Sequence, residues 1–122
     1  MKFENTGIEN VTIELPRLTD IMRSEGFILA GQWDYERITY DRKFEIKGDI
    51  YYLRVQGYAV EGIIEENATD AVIKLLTPFV GKYYYPHGVE YGEDEVFPNS
   101  LVEQCNRILA KVKEQIDAVV NA

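Results

Sequence analysis

Ten consecutive residues, Lys82-Tyr83-Tyr84-Tyr85-Pro86-His87-Gly88-Val89-Glu90-Tyr91, gather four of the nine tyrosines and the one histidine of the chain. Two kinds of chemistry fit such a run. An imidazole titrating near neutral pH can act as general acid or base if a carboxylate orients it, and Glu90 or Asp94 is close enough in sequence to do so. Tyrosines offer large flat rings with a directional hydroxyl, the side chains that ligand pockets and protein interfaces favour. Each has a plainer counterpart. An imidazole in a Pro-His-Gly turn is often just solvated, and tyrosine is common in strands for packing reasons alone. The density of rings within so few positions makes the segment a binding surface before a catalytic site. The candidate ligand-binding residues are Tyr83, Tyr85, His87, Glu90 and Tyr91, with Trp33 a possible neighbour.

Other reactive types lack the company their chemistry needs. The chain has no HExxH and no CxxC, and one histidine with one cysteine cannot fill a structural zinc site. Gly81-Lys82 is not the end of a phosphate loop, because Leu76 stands where the first glycine belongs and a tyrosine follows the lysine. Ser24 and Ser100 lack a nucleophile-elbow context. Glu93-Asp94-Glu95 and Glu65-Glu66 read as solvated acidic loops, since calcium-loop spacing is absent. Cys105 falls on the inward stripe of a helix, as an inert buried thiol. No catalytic set, metal site or cofactor is therefore expected.

Elements must hold that segment in place, and the pattern of apolar residues supplies them. Residues 1–15 fit either a strand (Ile8, Val11, Ile13, Leu15) or a helix. From Pro16 to Glu25 the chain reads as a helix, with proline in its first turn, Gly26 just past its end, and Leu18, Ile21 and Met22 facing inward. Phe27 to Trp33 predicts a strand that brings Leu29 near Tyr40. Glu36 to Ile46 and Ile50 to Val60 alternate cleanly, with Ile38, Tyr40, Phe44 and Ile46 on one face and Tyr51, Leu53, Val55 and Ala59 on the other strand's matching face. A two-residue loop at Gly48-Asp49 would set Phe44 opposite Leu53 and Tyr40 opposite Gly57. Ala71–Leu76 fits a buried strand, with Val72, Leu75, Leu76 and Phe79 also at helical spacing, and Pro78 ends either element. Val80–Tyr85 reads as a strand with a short return through Tyr91.

The C-terminal segment is a helix. Ser100-Leu101-Val102-Glu103 has capping-box form, with Asn99 or Ser100 able to cap. Leu101, Cys105, Ile108, Val112, Ile116 and Val119 form its stripe, widened by Val102, Leu109 and Val120. About 20 such residues reach about 30 Å, and the sheet's apolar face is the one partner large enough. The expected architecture is α+β: an antiparallel meander sheet of about five strands, with a long C-terminal helix and a shorter N-terminal helix packed on one face.

Bulk composition bounds the partners. A chain of 122 residues forms one domain, 1–122, and buries roughly two-thirds of its unfolded surface. A net charge of -8, from 21 acidic and 13 basic residues, argues against nucleic-acid and anionic-membrane partners, which need a basic surface. No apolar run approaches the ~18 residues of a membrane span. The polar, acidic start Met1-Lys2-Phe3-Glu4-Asn5 is unlike a signal peptide. A lone cysteine makes no intrachain disulfide. A cytoplasmic location is the expectation.

The segment 82–91 together with the opening Met1-Lys2-Phe3-Glu4-Asn5-Thr6-Gly7 resembles the YugN-like family, small uncharacterised proteins of Bacillus-type bacteria. The resemblance runs the length of the chain, which matches family members in size and in its final helix. It implies a bacterial cytoplasmic α+β protein and brings no activity, cofactor or catalytic residue with it.

Three functions are thus open. The first is a non-enzymatic binding module, taking a small molecule or a protein partner at the Tyr/His-rich segment. The second is a small enzyme using His87 as acid or base, with Tyr85 or Tyr91 as hydrogen-bond donor. The third is a homodimer whose Tyr-rich surface is only the subunit contact.

Overall fold

The structure is a computed structural model, and it describes all residues except 31–33, 66–68, 85–87, 91–95 and 121–122. Its elements run β1 (Thr12–Glu14), α1 (Leu15–Ser24), β2 (Ile28–Leu29), β3 (Arg37–Ile46), β4 (Asp49–Glu61), β5 (Val72–Leu75), β6 (Phe79–Tyr84), β7 (Gly88–Glu90) and α2 (Asn99–Val120). The fold is α+β, an antiparallel sheet with a short and a long helix.

The sheet has seven strands where the sequence suggests about five. The additional two, β1 and β7, are three residues each, too short for period-2 alternation to establish them, and the sequence offers them only as one of two readings near Ile13 and as the short return through Tyr91. β1 resolves the ambiguity of the first fifteen residues in favour of a strand at Thr12–Glu14. β5 likewise resolves 71–76 as strand, and the predicted pairing of Leu29 with Tyr40 is present.

β4 organises everything else because it is thirteen residues long. One edge pairs with β3. The other pairs with β6 over Tyr51–Arg54 and with β5 from Gly57 onward. Between β5 and β6, Leu76 donates to the Gln56 carbonyl. Pro78, which has no N–H to give a ladder, sits in that interruption. Beyond β5 lies β1, and beyond β6 lie Met1–Phe3 and then β7.

The β3–β4 hairpin turns at Lys47-Gly48, not Gly48-Asp49. Ile46 pairs with Asp49, Phe44 with Tyr51, Tyr40 with Val55 and Ile38 with Gly57. Both turn residues have positive φ, 51° and 85°, which is the primed turn with glycine second. The sequence reading put glycine first, which shifts the register by two. A two-residue shift leaves every side chain on its own face, so facial patterning alone could not detect it.

Helix α1 begins with Pro16 in its first turn and ends before Gly26 at φ 85°, a backbone conformation glycine adopts without strain. Helix α2 starts at Asn99, and the N–H groups of Leu101 and Val102 both donate to the Pro98 carbonyl. Ser100 therefore lies inside the first turn, and the capping position a Ser-x-x-Glu box requires falls on Pro98 instead. Neither helix is long and apolar enough to cross a membrane.

Both helices contribute to one core with one face of the sheet. Tyr40, Leu53, Val55, Ile73 and Leu75 from the strands meet Leu18 and Met22 of α1 and Leu101, Cys105, Val112 and Ile116 of α2, each with no exposed surface. Thr19 Oγ1 of α1 lies 2.8 Å from the Tyr40 hydroxyl of β3, which gives that buried phenol a partner. A clasp joins the helix surfaces: Gln115 Nε2 donates to Glu25 at 2.9 Å and Ser24 donates to Gln115 at 3.1 Å.

Candidate functional site

Strand pairing decides which members of the Tyr/His segment can share a face. Tyr51 pairs with Lys82 and Leu53 with Val80, so Val80, Lys82 and Tyr84 lie on the helix-covered side. Phe79, Gly81 and Tyr83 therefore lie on the other side, opposite Arg54, Tyr52 and the position of Ile50. Across β7, Tyr83 pairs with Val89 and Lys82 with Glu90. Tyr83 and Glu90 are thus one register position apart and on opposite faces. Tyr85, His87 and Tyr91, like Trp33, fall outside the described residues.

The helix-free face near β6 is aromatic. Gly81 is buried there although it carries no side chain, with Tyr52 directly across from it and Phe79 and Tyr83 two positions away on its own strand. An aromatic residue opposite a glycine covers backbone the missing side chain would leave bare. Phe79, Tyr52 and Tyr83 are each half-buried.

Beside this aromatic group lies a feature the sequence did not reveal. Arg54 Nε and Nη2 donate to the two carboxylate oxygens of Asp41 at 2.7 and 2.8 Å. Such a fork-to-fork pair combines charge with fixed geometry. Asp41 is 8% exposed, and the two residues are direct cross-strand partners. With the hairpin read two residues out of register, Asp41 falls opposite Gln56 and the pair is invisible. Next to it, Gln56 donates to Thr39 Oγ1 at 3.1 Å.

On the helix-covered side, Lys82 Nζ lies 5.1 Å from the Tyr84 ring centre and 3.6 Å from Asp49. Tyr51 and Phe97 rings tilt together at 6.0 Å. This end of the core is filled where the chain enters α2.

Burial displaces the titration of two core groups. Burial pushes the Cys105 thiol up to about 12, despite the opposing field of Arg42. Burial likewise pushes the Tyr40 phenol up to about 12, against the Thr19 hydrogen bond and the Arg23 charge. Both stay protonated and unreactive at neutral pH. Among the described residues no three His, Cys, Asp or Glu side chains gather as a metal site. A polar cleft of about 420 Å³ is lined by Glu4, Asn5, Glu9, Asn10, Leu76 and Thr77. The Glu9 carboxylate there already accepts from Thr77 Oγ1 at 3.0 Å and from the Asn5 amide at 3.3 Å, so it braces the loop.

The fold and its surface define a class: a small α+β protein with two helices on one side of an antiparallel sheet and an aromatic, ion-paired opposite side. The profile of the YugN-like family matches residues 4–118, and the chain belongs to that family. It is 47% identical to the uncharacterized protein YlbA of Bacillus subtilis (strain 168) over 119 residues, 98% of each chain. It is 25% identical to the uncharacterized protein YugN of the same organism over 85 residues, 70% of this chain and 62% of that one. The crystal structure of an uncharacterized conserved protein YugN from Geobacillus kaustophilus HTA426 has 56% identity and a TM-score of 0.86, covering 100% of this chain and 99% of that one.

Proposed function

We propose that this chain is a cytoplasmic, non-enzymatic binding protein whose binding surface is the β6–β7 end of the sheet's helix-free face. The observation that carries the reading is the grouping of Tyr83, Tyr52 and Phe79 around Gly81, on the face neither helix contributes to, next to an Arg–carboxylate pair that is already satisfied. Half-buried aromatic rings on rigid strands bind at low entropic cost. The Asp41–Arg54 pair fixes strand register beneath them and contributes no net charge.

Tyr85, His87 and Tyr91 adjoin this surface in sequence only and lie outside the described residues, and Glu90 stands on the opposite face of β7 from Val89, the partner of Tyr83. Having one histidine makes the test direct. The His87 imidazole gives one pair of NMR signals, to be followed while a cytoplasmic metabolite extract is added to wild type and to Tyr83→Ala. Signals that move with the extract in wild type and stay still in Tyr83→Ala support the reading. Signals indifferent to the extract in both proteins contradict small-molecule binding at this surface.

A further inference from the structure

We propose that the end of the sheet where β3 begins, β4 finishes and β5 begins is a docking surface for a basic segment of another protein, one that carries apolar side chains between its cationic ones. This surface lies at the opposite end of β4 from the Tyr83 group and stands independently of the reading given to that group.

The centre of the surface is apolar. The Ala59 amide donates to the Glu36 carbonyl at 2.8 Å, and the Ile64 amide donates to the Tyr35 carbonyl at 2.9 Å. Tyr35, Tyr58, Val60 and Ile63 each take part in one of these two bonds or stand one residue from it, and each is between 36% and 54% exposed. Scattered apolar side chains on a surface are ordinary. Four large ones tied to one sheet end are a patch, and patches mark contacts.

The backbone presents that patch in a fixed shape. The β4–β5 ladder shifts register between Ala59 and Glu61, so Val60 is the extra residue of a bulge, a device that re-aims side chains at sheet margins. Just beyond it the chain closes on the start of β5. A Cβ at position 62 would lie 3.0 Å from Ala71 Cα and 3.1 Å from the Ala71 nitrogen. Little ordering is then left for a partner to impose.

Charge identifies the occupant. The stretches 34–37, 58–65 and 69–72 carry Asp34, Glu36, Glu61, Glu65 and Asp70 against Arg37, all exposed. They sum to -4, half of the chain's -8. Adding Glu14 and Arg17, where β1 meets α1, and Lys74, the partner of Tyr58, still leaves -3. Among the described residues none of the five carboxylates is in an ion pair. An unpaired acidic rim attracts lysine and arginine while the apolar centre takes the side chains between them. The same rim repels nucleic acid and a second copy of this acidic chain.

The test titrates a short acetylated peptide of alternating lysine and leucine into the full chain, followed by amide NMR shifts, with a serine-for-leucine peptide as comparator. The lysine–leucine peptide should bind with a Kd below about 1 mM, its largest shifts falling at Tyr35 and residues 58–64. Glu36→Lys/Glu61→Lys should raise that Kd about tenfold, and Ile63→Ser about fivefold. Glu103→Lys/Glu114→Lys makes the same charge change on the exposed side of α2 and should alter it less than about twofold. Absence of binding at about 1 mM, an equal loss from the α2 pair, or a serine peptide that binds as tightly overturns the proposal. So do shifts centred on Tyr52, Phe79 and Tyr83, which would seat the peptide on the other surface.

Discussion

One sheet presents two faces that obey different rules. On the helix-covered face, Tyr40, Leu53, Val55, Ile73 and Leu75 have no exposed surface, and two helices complete the core. On the helix-free face, Tyr52, Phe79 and Tyr83 are half-buried around a buried glycine, and Asp41 is 8% exposed with its carboxylate paired to the Arg54 guanidinium. The first face accounts for folding through apolar area. The second has geometry and composition in excess of what folding requires, which is where binding is to be sought.

The sharpest contrast should come from truncation in the core. Leu53→Ala, at the centre of β4 with no exposure, should cost about 2–5 kcal/mol in urea unfolding. A loss below about 1 kcal/mol would mean the helix-covered face is loosely packed. Gly57→Ala should follow at about 1–3 kcal/mol. Its new Cβ would lie 2.5 Å from Ile73 Cγ2 and 3.0 Å from the Lys74 carbonyl oxygen, and the backbone atom cannot swing aside. Unchanged stability would indicate that β4 and β5 are less closely joined than described.

On the other face, Asp41→Asn should cost about 1–2 kcal/mol, reduced from a fully buried pair because the Arg54 side chain is 25% exposed. The double variant Asp41→Asn/Arg54→Met should be more stable than the sum of the two single losses. Simple additivity would deny the pair any coupling.

Alkaline pH tests the core through its two buried acids. Cys105 and Tyr40 rise from ordinary values of 9.0 and 10.0 to about 12 on folding. A raised folded value means the native state holds its proton longer than the unfolded chain does. Their contribution is therefore complete below about pH 9 and is lost as pH climbs toward 12. The urea midpoint should fall between pH 8 and 10.5, and less steeply in Cys105→Ala. Identical slopes would show that the thiol is not buried as described.

Much of the helix-covered face was legible beforehand because burial writes itself as periodicity. Leu18, Ile21 and Met22 at helical spacing, and Ile38, Tyr40 and Phe44 at strand spacing, each emerged on the side they predicted. The hairpin register was not legible, since a two-residue shift preserves every face and only the turn distinguishes Lys47-Gly48 from Gly48-Asp49. That one ambiguity concealed the Asp41–Arg54 pair. Strand β1 was legible only as one of two readings and β7 only as a short return through Tyr91, because three residues carry no period. The candidate site was visible as composition in 82–91, but the separation of Tyr83 from Glu90 follows from strand pairing, which sequence proximity does not convey.

The smallest stability effect should fall where function is proposed. Tyr83→Ala should change stability far less than Leu53→Ala, because its ring is half-buried on a face without a helix. The most direct measurement therefore reads both quantities on the same two variants: the urea midpoint, and the response of the His87 imidazole signals to metabolite extract. The two-face account predicts that Leu53→Ala lowers the midpoint sharply and, while folded, keeps the response, and that Tyr83→Ala keeps the midpoint and loses the response. A Tyr83→Ala protein that is destabilised like Leu53→Ala yet still responds to extract would contradict it.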